Sequence, residues 1–116
     1  MSKPIWTPSD DRIEQANITK FCNGLHTNGK GNFASYDDLW DWSVSDLDGF
    51  WSEFWDFSGI IGHKGETVFN NSKHLIDAEF FPEAKLNFAE NILRVDTVGT
   101  AIIFHTEAGA RSEWSW

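Results

Sequence analysis

Four kinds of side chain in this sequence have the types needed for chemistry, and their spacing decides what they can do. Gly24-Leu-His-Thr-Asn-Gly29-Lys30 has the G-x-x-x-x-G-K spacing of a phosphate-binding loop, in which backbone N–H groups and a lysine cradle phosphate oxygens. The next residue is Gly31, so the hydroxyl that would ligate magnesium is absent. The motif also follows a helical pattern, whereas the cradle needs strand, loop and helix in that order. We read it as a flexible loop between helices. His26, His63, His74 and His105 show none of the histidine spacings of zinc sites, and Cys22 has no second cysteine to join it. Asp37-Asp38 and Asp46/Asp48 have the pairing of an acid–base couple, but they stand beside N-cap positions where negative charge offsets the positive helix end. No G-x-S-x-G occurs, and nothing marks a Cys–His pair as catalytic. No catalytic, cofactor-binding or metal-binding residue is expected in residues 1–116.

The elements that carry these residues are organised around Phe80-Phe-Pro-Glu-Ala-Lys-Leu-Asn-Phe-Ala-Glu-Asn-Ile-Leu93. Pro82 fixes its own φ and removes a donor. Leu86, Ala89, Ile92 and Leu93 then recur at helical spacing with Phe88 beside them, which predicts a helix over 84–94. Asn87 and Asn91, one turn apart near that stripe, are expected as buried amides bonded to a neighbouring loop. Upstream, Pro4 and Pro8 favour an extended start in which Trp6 is an anchor. Ser9 as N-cap, Asp10 and Asp11 in the first turn, and an apolar face of Ile13, Ile18, Phe21, Cys22 and Leu25, with Asn17 as its one polar interruption, predict a helix over 9–26. Ser35 and Asp38 resemble a capping box and open a helix over 35–43. Ser45 is the N-cap candidate for a helix over 46–58, whose stripe of Leu47, Phe50, Trp51, Phe54 and Trp55 ends at Gly59. That stripe is core, with a carbohydrate-stacking platform as the alternative. Glu66 to Phe69 reads as a short strand and Asn70 to Lys73 as a turn. After a loop over 95–99, Thr100 to His105 and Arg111 to Trp114 form a hairpin over 100–114. Ser115 and Trp116 look like the N-cap and first residue of a further helix. The fold class expected is α+β, predominantly helical and ending in a short β-hairpin.

Length bounds the chain to one domain or less, at 116 residues with 41% hydrophobic and 23% charged content. Seven Trp and ten Phe are more aromatic surface than a small lone core uses, so part of it is expected to face a partner or another part of the same polypeptide. A net charge of −9 argues against nucleic acid and anionic membrane as partners. The single cysteine fits a reducing compartment, and neither a signal-type apolar region nor a membrane-length run occurs, so a soluble, cytoplasmic protein is expected.

Phe81-Pro82, followed by Ala84-Lys-Leu-Asn-Phe-Ala-Glu-Asn-Ile-Leu93, resembles the "FPGA-[RK]-LN-[YF]-AEN-[IL]-L" segment of acetoacetyl-CoA synthetases. These are AMP-forming acid–CoA ligases of the acyl-adenylate superfamily, in which the segment precedes the nucleotide-binding core. Trp6-Thr-Pro-Ser9 with Ala16 to Phe21, and Tyr36 to Val44 with Phe50-Trp51 and Trp55 to Phe57, are similar to the same family. Glu83 departs from it, standing where the family usually has glycine, which puts the turn before the helix in question.

The resemblance implies a parent enzyme that converts acetoacetate, ATP and CoA to acetoacetyl-CoA, AMP and pyrophosphate with Mg, in fatty-acid and ketone-body metabolism. That chemistry needs a Ser/Thr/Gly-rich phosphate loop with Lys, an acidic residue toward Mg, a ribose-binding Asp and a mobile C-terminal domain carrying a catalytic Lys. None is present in residues 1–116, so the chain is expected to be a catalytically incompetent fragment, cut before the nucleotide-binding domain. The partner implied is the remainder of the ligase, with self-association of the isolated chain. The residues expected to serve as structural or interface anchors are Trp6, Trp51, Trp55, Phe81, Asn87, Asn91 and Trp116. A freestanding aromatic-rich interaction module and a carbohydrate-binding module are the rival readings.

Overall fold

A computed structural model describes residues 5–70, 74–94 and 98–116. The turn expected over Asn70–Lys73, the loop expected over 95–99 and the extended start at Pro4 lie wholly or partly outside the described residues. The chain is α+β and divides into two compact units, Met1–Leu86 and Asn87–Trp116.

The first unit opens with two helices where the apolar pattern predicts one. α1 (Asp10–Gln15) and α2 (Asn17–Thr27) are separated by Ala16, whose ψ of 141° is extended. The break is stabilised locally: the Ala16 N–H and the Thr19 hydroxyl both donate to the Ile13 carbonyl, at 3.2 and 2.6 Å. Asn17, the polar interruption in the apolar face, marks the place in sequence, because a weak helix former there cannot hold a continuous helix together. Ser9 precedes α1 without a side-chain capping bond.

α3 (Tyr36–Ser45) starts from a reciprocal capping box. The Ser35 hydroxyl accepts the Asp38 N–H at 3.1 Å, and the Asp38 carboxylate accepts the Ser35 N–H at 2.9 Å. α4 (Leu47–Ser58) is capped by Asp46 and not by Ser45, which still belongs to α3. The Asp46 carboxylate accepts the Gly49 N–H at 3.0 Å and the Trp42 indole N–H at 3.2 Å. A carboxylate reaches both donors across the α3–α4 corner, and a serine hydroxyl at the end of α3 does not. Gly59 ends α4 in the left-handed region, at φ 60°.

Packing converges on Phe21. Its ring, 6% exposed, meets Phe57 at 5.0 Å, Phe54 at 5.9 Å and Phe50 at 6.0 Å between centroids. Leu25 and Leu39 complete the buried cluster, with Cys22, Phe33, Trp42 and Phe50 against it.

Residues 62–70 and 79–86 run antiparallel as an interrupted hairpin of two short ladders. At its open end β1 (Gly62–His63) pairs with β4 (Lys85–Leu86), and toward its tip β2 (Phe69–Asn70) pairs with β3 (Glu79–Phe80). A single 3-10 turn occupies Leu75–Asp77. The helix expected over 84–94 therefore starts later. Lys85 and Leu86 are strand, because pairing with Gly62 and His63 outweighs the helical period of the local sequence. Gly62 permits that pairing, since a Cβ there would lie 2.7 Å from the Leu86 Cβ.

The second unit begins with Asn87, extended at φ −100° and ψ 117°, as the N-cap of α5 (Phe88–Ile92). Its side-chain oxygen accepts the Glu90 N–H at 3.2 Å, and its carbonyl accepts the Asn91 side-chain N–H at 2.9 Å. The buried amides expected here are instead an exposed cap and a half-buried residue bonded back to it. β5 (Thr100–His105) pairs with β6 (Arg111–Ser115) in the register Ile102↔Trp114 and Phe104↔Ser112, with an irregularity between Thr100 and Ile102. No helix starts at Ser115: that residue pairs with Thr100, and the Trp116 N–H donates to the Gly99 carbonyl at 3.3 Å. None of the described residues of this unit is buried.

Phe21→Ala removes the ring that ties α2 to α4, and large-to-small changes of this kind cost about 3–5 kcal/mol. Exposed Phe88→Ala should cost well under that in the same urea titration. Equal shifts of the two midpoints would show that the Phe21 cluster does not carry the fold.

Candidate functional site

α4 presents two pairs of side chains, each pair one turn apart, to the interrupted hairpin. Trp51 meets the Phe80 ring at 5.2 Å and Trp55 meets the Phe81 ring at 4.8 Å. Phe69, opposite Phe80 in the ladder, extends the cluster at 4.9 Å. On the adjacent face, Ser52 and Asp56 both hold the Lys64 ammonium at 3.0 Å. The helix thus grips the hairpin with an aromatic contact and an ionic one.

Between the two ladders the backbone does not pair in register, and Glu83 takes over. Its carboxylate accepts the Glu66 N–H at 2.7 Å, the Thr67 N–H at 3.1 Å and the Thr67 hydroxyl at 2.9 Å. These bonds, the Thr67 N–H first and then those of Glu66 and the Thr67 hydroxyl, hold the Glu83 carboxyl below its ordinary range, with the neighbouring His63 adding to the effect. Phe81, beside it, has φ 50°, the one non-glycine residue with positive φ among the described residues. It is held there by its N–H, which donates to the Val68 carbonyl at 2.8 Å, and by its ring on Trp55. Such a conformation costs of order 1–3 kcal/mol and persists only where the surroundings over-determine it.

Of the anchors expected from sequence, Trp51, Trp55 and Phe81 come together here. They are directed into the unit, and Trp55 is buried. Trp6 stands apart, 67% exposed, with the Arg12 guanidinium 5.7 Å from its ring centroid. Asn87, Asn91 and Trp116 belong to the second unit. Sequence reasoning missed Lys64 and Thr67; the departure from glycine at Glu83 was the one signal of this tether.

The apparent phosphate loop is not a loop in its first half. Gly24 lies inside α2, and Lys30 is committed to Glu53 at 2.8 Å, which raises the lysine pKa. Asp38 and Asp46 are spent on helix caps. The Cys22 thiol is pushed up by burial. Among the described residues no group of three His, Cys, Asp or Glu side chains could hold a metal ion, and no helix is long and apolar enough to cross a membrane. A separate apolar groove of about 320 Å³ runs between α2, α3 and α4, lined among others by Ile18, Leu39, Trp40, Phe54 and Phe57.

A family profile described as "Acetyl-coenzyme A synthetase N-terminus" matches residues 36–92. The acetoacetyl-coenzyme A synthetase of Rhizobium meliloti is 37% identical over 114 residues, covering 98% of this chain and 18% of the relative. The acetoacetyl-CoA synthetase of Xenopus tropicalis is 39% identical over 95 residues, covering 80% of this chain and 14% of the relative. Among solved structures, acetoacetyl-CoA synthetase from Streptomyces lividans superposes with a TM-score of 0.76 at 25% identity, covering 99% of this chain and 18% of that one. The chain thus spans less than a fifth of the length of these relatives.

Because the Glu83 pKa is lower folded than its ordinary 4.5, its contribution to stability is complete above that value and is lost as pH falls below it. Glu83→Gln should therefore melt below the wild type at neutral pH, and the gap should close as pH falls below about 4.5. A gap independent of pH would remove the carboxylate charge from the account.

Proposed function

We propose that this chain is the N-terminal structural region of an acetoacetate–CoA ligase, a reading supported by the match of residues 36–92 to the acetyl-coenzyme A synthetase N-terminus profile. The observation that carries the reading is the extent of agreement: sequence over 98% of the chain and fold over 99% of it match one region of such enzymes. The reaction of the whole enzyme would be acetoacetate, ATP and CoA to acetoacetyl-CoA, AMP and pyrophosphate, with Mg. Its setting would be the cytoplasm, in fatty-acid and ketone-body metabolism. In this reading these cofactors are held by the remainder of the enzyme, which is supported by the pairing of Lys30 with Glu53 and by the lack of a metal-ligating cluster among the described residues. The role of residues 1–116 is packing. α4 and the tethered hairpin form a preorganised block against which the rest of the ligase folds, with Trp6 and Trp116 as the exposed anchors.

Two experiments test this. The coding sequence beyond Trp116 is expected to encode a Gly-rich phosphate loop with lysine; a stop codon there would favour a freestanding interaction module. The 116-residue chain alone is expected to release no pyrophosphate with acetoacetate, acetate or butyrate, and to bind neither ATP nor CoA in calorimetry. Turnover that follows the purified chain would overturn the structural role.

The isolated chain is also proposed to self-associate through its hairpin, where Ile102, Ile103, Phe104, Trp114 and Trp116 are all about half exposed or more. A lone two-stranded hairpin is marginal in water, and its edges are pairing templates. Sedimentation over a hundredfold concentration range should show a growing dimer fraction. A sharp monomer throughout would dismiss the contact.

A further inference from the structure

At the break in the hairpin, two successive backbone N–H groups, those of Glu66 and Thr67, point at one spot. Gly65, at φ 85°, turns the chain so that they converge. The Thr67 hydroxyl supplies a third donor. Successive converging amides form the concave nests in which proteins bind anions. Here the anion is already in place: one Glu83 oxygen bridges the two amides at 2.7 and 3.1 Å, and the other takes the hydroxyl at 2.9 Å. None of these three bonds depends on the oxyanion being part of the chain.

We propose that the Gly65–Thr67 turn is an oxyanion-binding site that Glu83 occupies as a built-in ligand, and that withdrawing this carboxylate opens the site to a small carboxylate or a phosphate. The inference stands apart from the ligase reading, because it uses only the donors and their occupant. It also says why the site stays closed in the intact chain. A tethered carboxylate acts at an effective concentration of millimolar order without paying for association. The net charge of −9 disfavours free anions. His63, whose ring nitrogen accepts the Gly65 N–H at 3.2 Å, holds the turn from its other side.

The test is chemical rescue of Glu83→Ala in the full 116-residue chain. Acetate and inorganic phosphate are titrated separately, with chloride at matched ionic strength as the control, and the backbone amide resonances of Glu66 and Thr67 are followed beside the melting temperature. Saturable shifts of those two amides with a raised melting temperature are expected in the variant, and roughly tenfold weaker binding or none in the wild type. The arm that responds identifies the chemistry, carboxylate or phosphate. Failure of both anions to move the two amides, equal movement with chloride, or equal affinity in the wild type would each overturn the proposal. Should Glu83→Ala not fold, Glu83→Gln is titrated instead. Its amide oxygen still accepts one donor, so the same amide shifts are expected at higher anion concentration, and their absence is equally decisive.

Discussion

On α4, Phe50, Phe54 and Phe57 close around the Phe21 ring, while Trp51 and Trp55 hold Phe80 and Phe81. One twelve-residue helix thereby serves two sets of neighbours. Aromatic pairs of these kinds contribute about 0.5–1.5 kcal/mol each beyond the area they bury. The Lys64 contact to Asp56 and Ser52 fixes the hairpin's rotation about the helix, which the flat rings alone leave free. Without α4 the two short ladders would each rest on two residue pairs, too few for a stable sheet in water.

The second unit obeys a different balance. Its cap, helix and hairpin are hydrogen-bonded within themselves, yet none of its described residues is buried. Hydrogen bonds made at the expense of bonds to water contribute little net stability, and apolar burial is the larger favourable quantity. Local geometry is therefore complete there while the stabilising enthalpy and entropy of a core are missing. This is the part of the chain whose function depends most on what it meets.

What the sequence made legible was what its neighbours within one turn determine. The Ser35–Asp38 box and the Gly59 stop are encoded by residues three or four positions apart, and the α4 stripe by a period. The division at Ala16 was obscured because Ile13, Ile18 and Phe21 continue one apolar face across it. The strand at Lys85–Leu86 was illegible because its cause, Gly62, lies far upstream in the chain. Asn87 illustrates both sides. Its spacing to Asn91 drew notice, but the amide is a cap and not a buried anchor, since the chain before it is extended. Trp51, Trp55 and Phe81 stand out in the sequence by residue type, but their convergence does not, because it depends on the positive φ of Phe81.

Gly65 is fixed as glycine twice over. Its φ of 85° disfavours a side chain, and a Cβ there would stand 2.8 Å from both the Cβ and the carboxylate of Glu83. The second restriction exists while any residue with a Cβ fills position 83, and the carboxylate adds to it. The two positions therefore form an ordered pair in descent: glutamate is admissible at 83 only on a background that already has glycine at 65, and once it is there, reversal at 65 is blocked until 83 changes first. Lineages that carry a carboxylate at this turn are expected to be invariant at the glycine, and those with glycine at 83 are released from the steric half of that restriction.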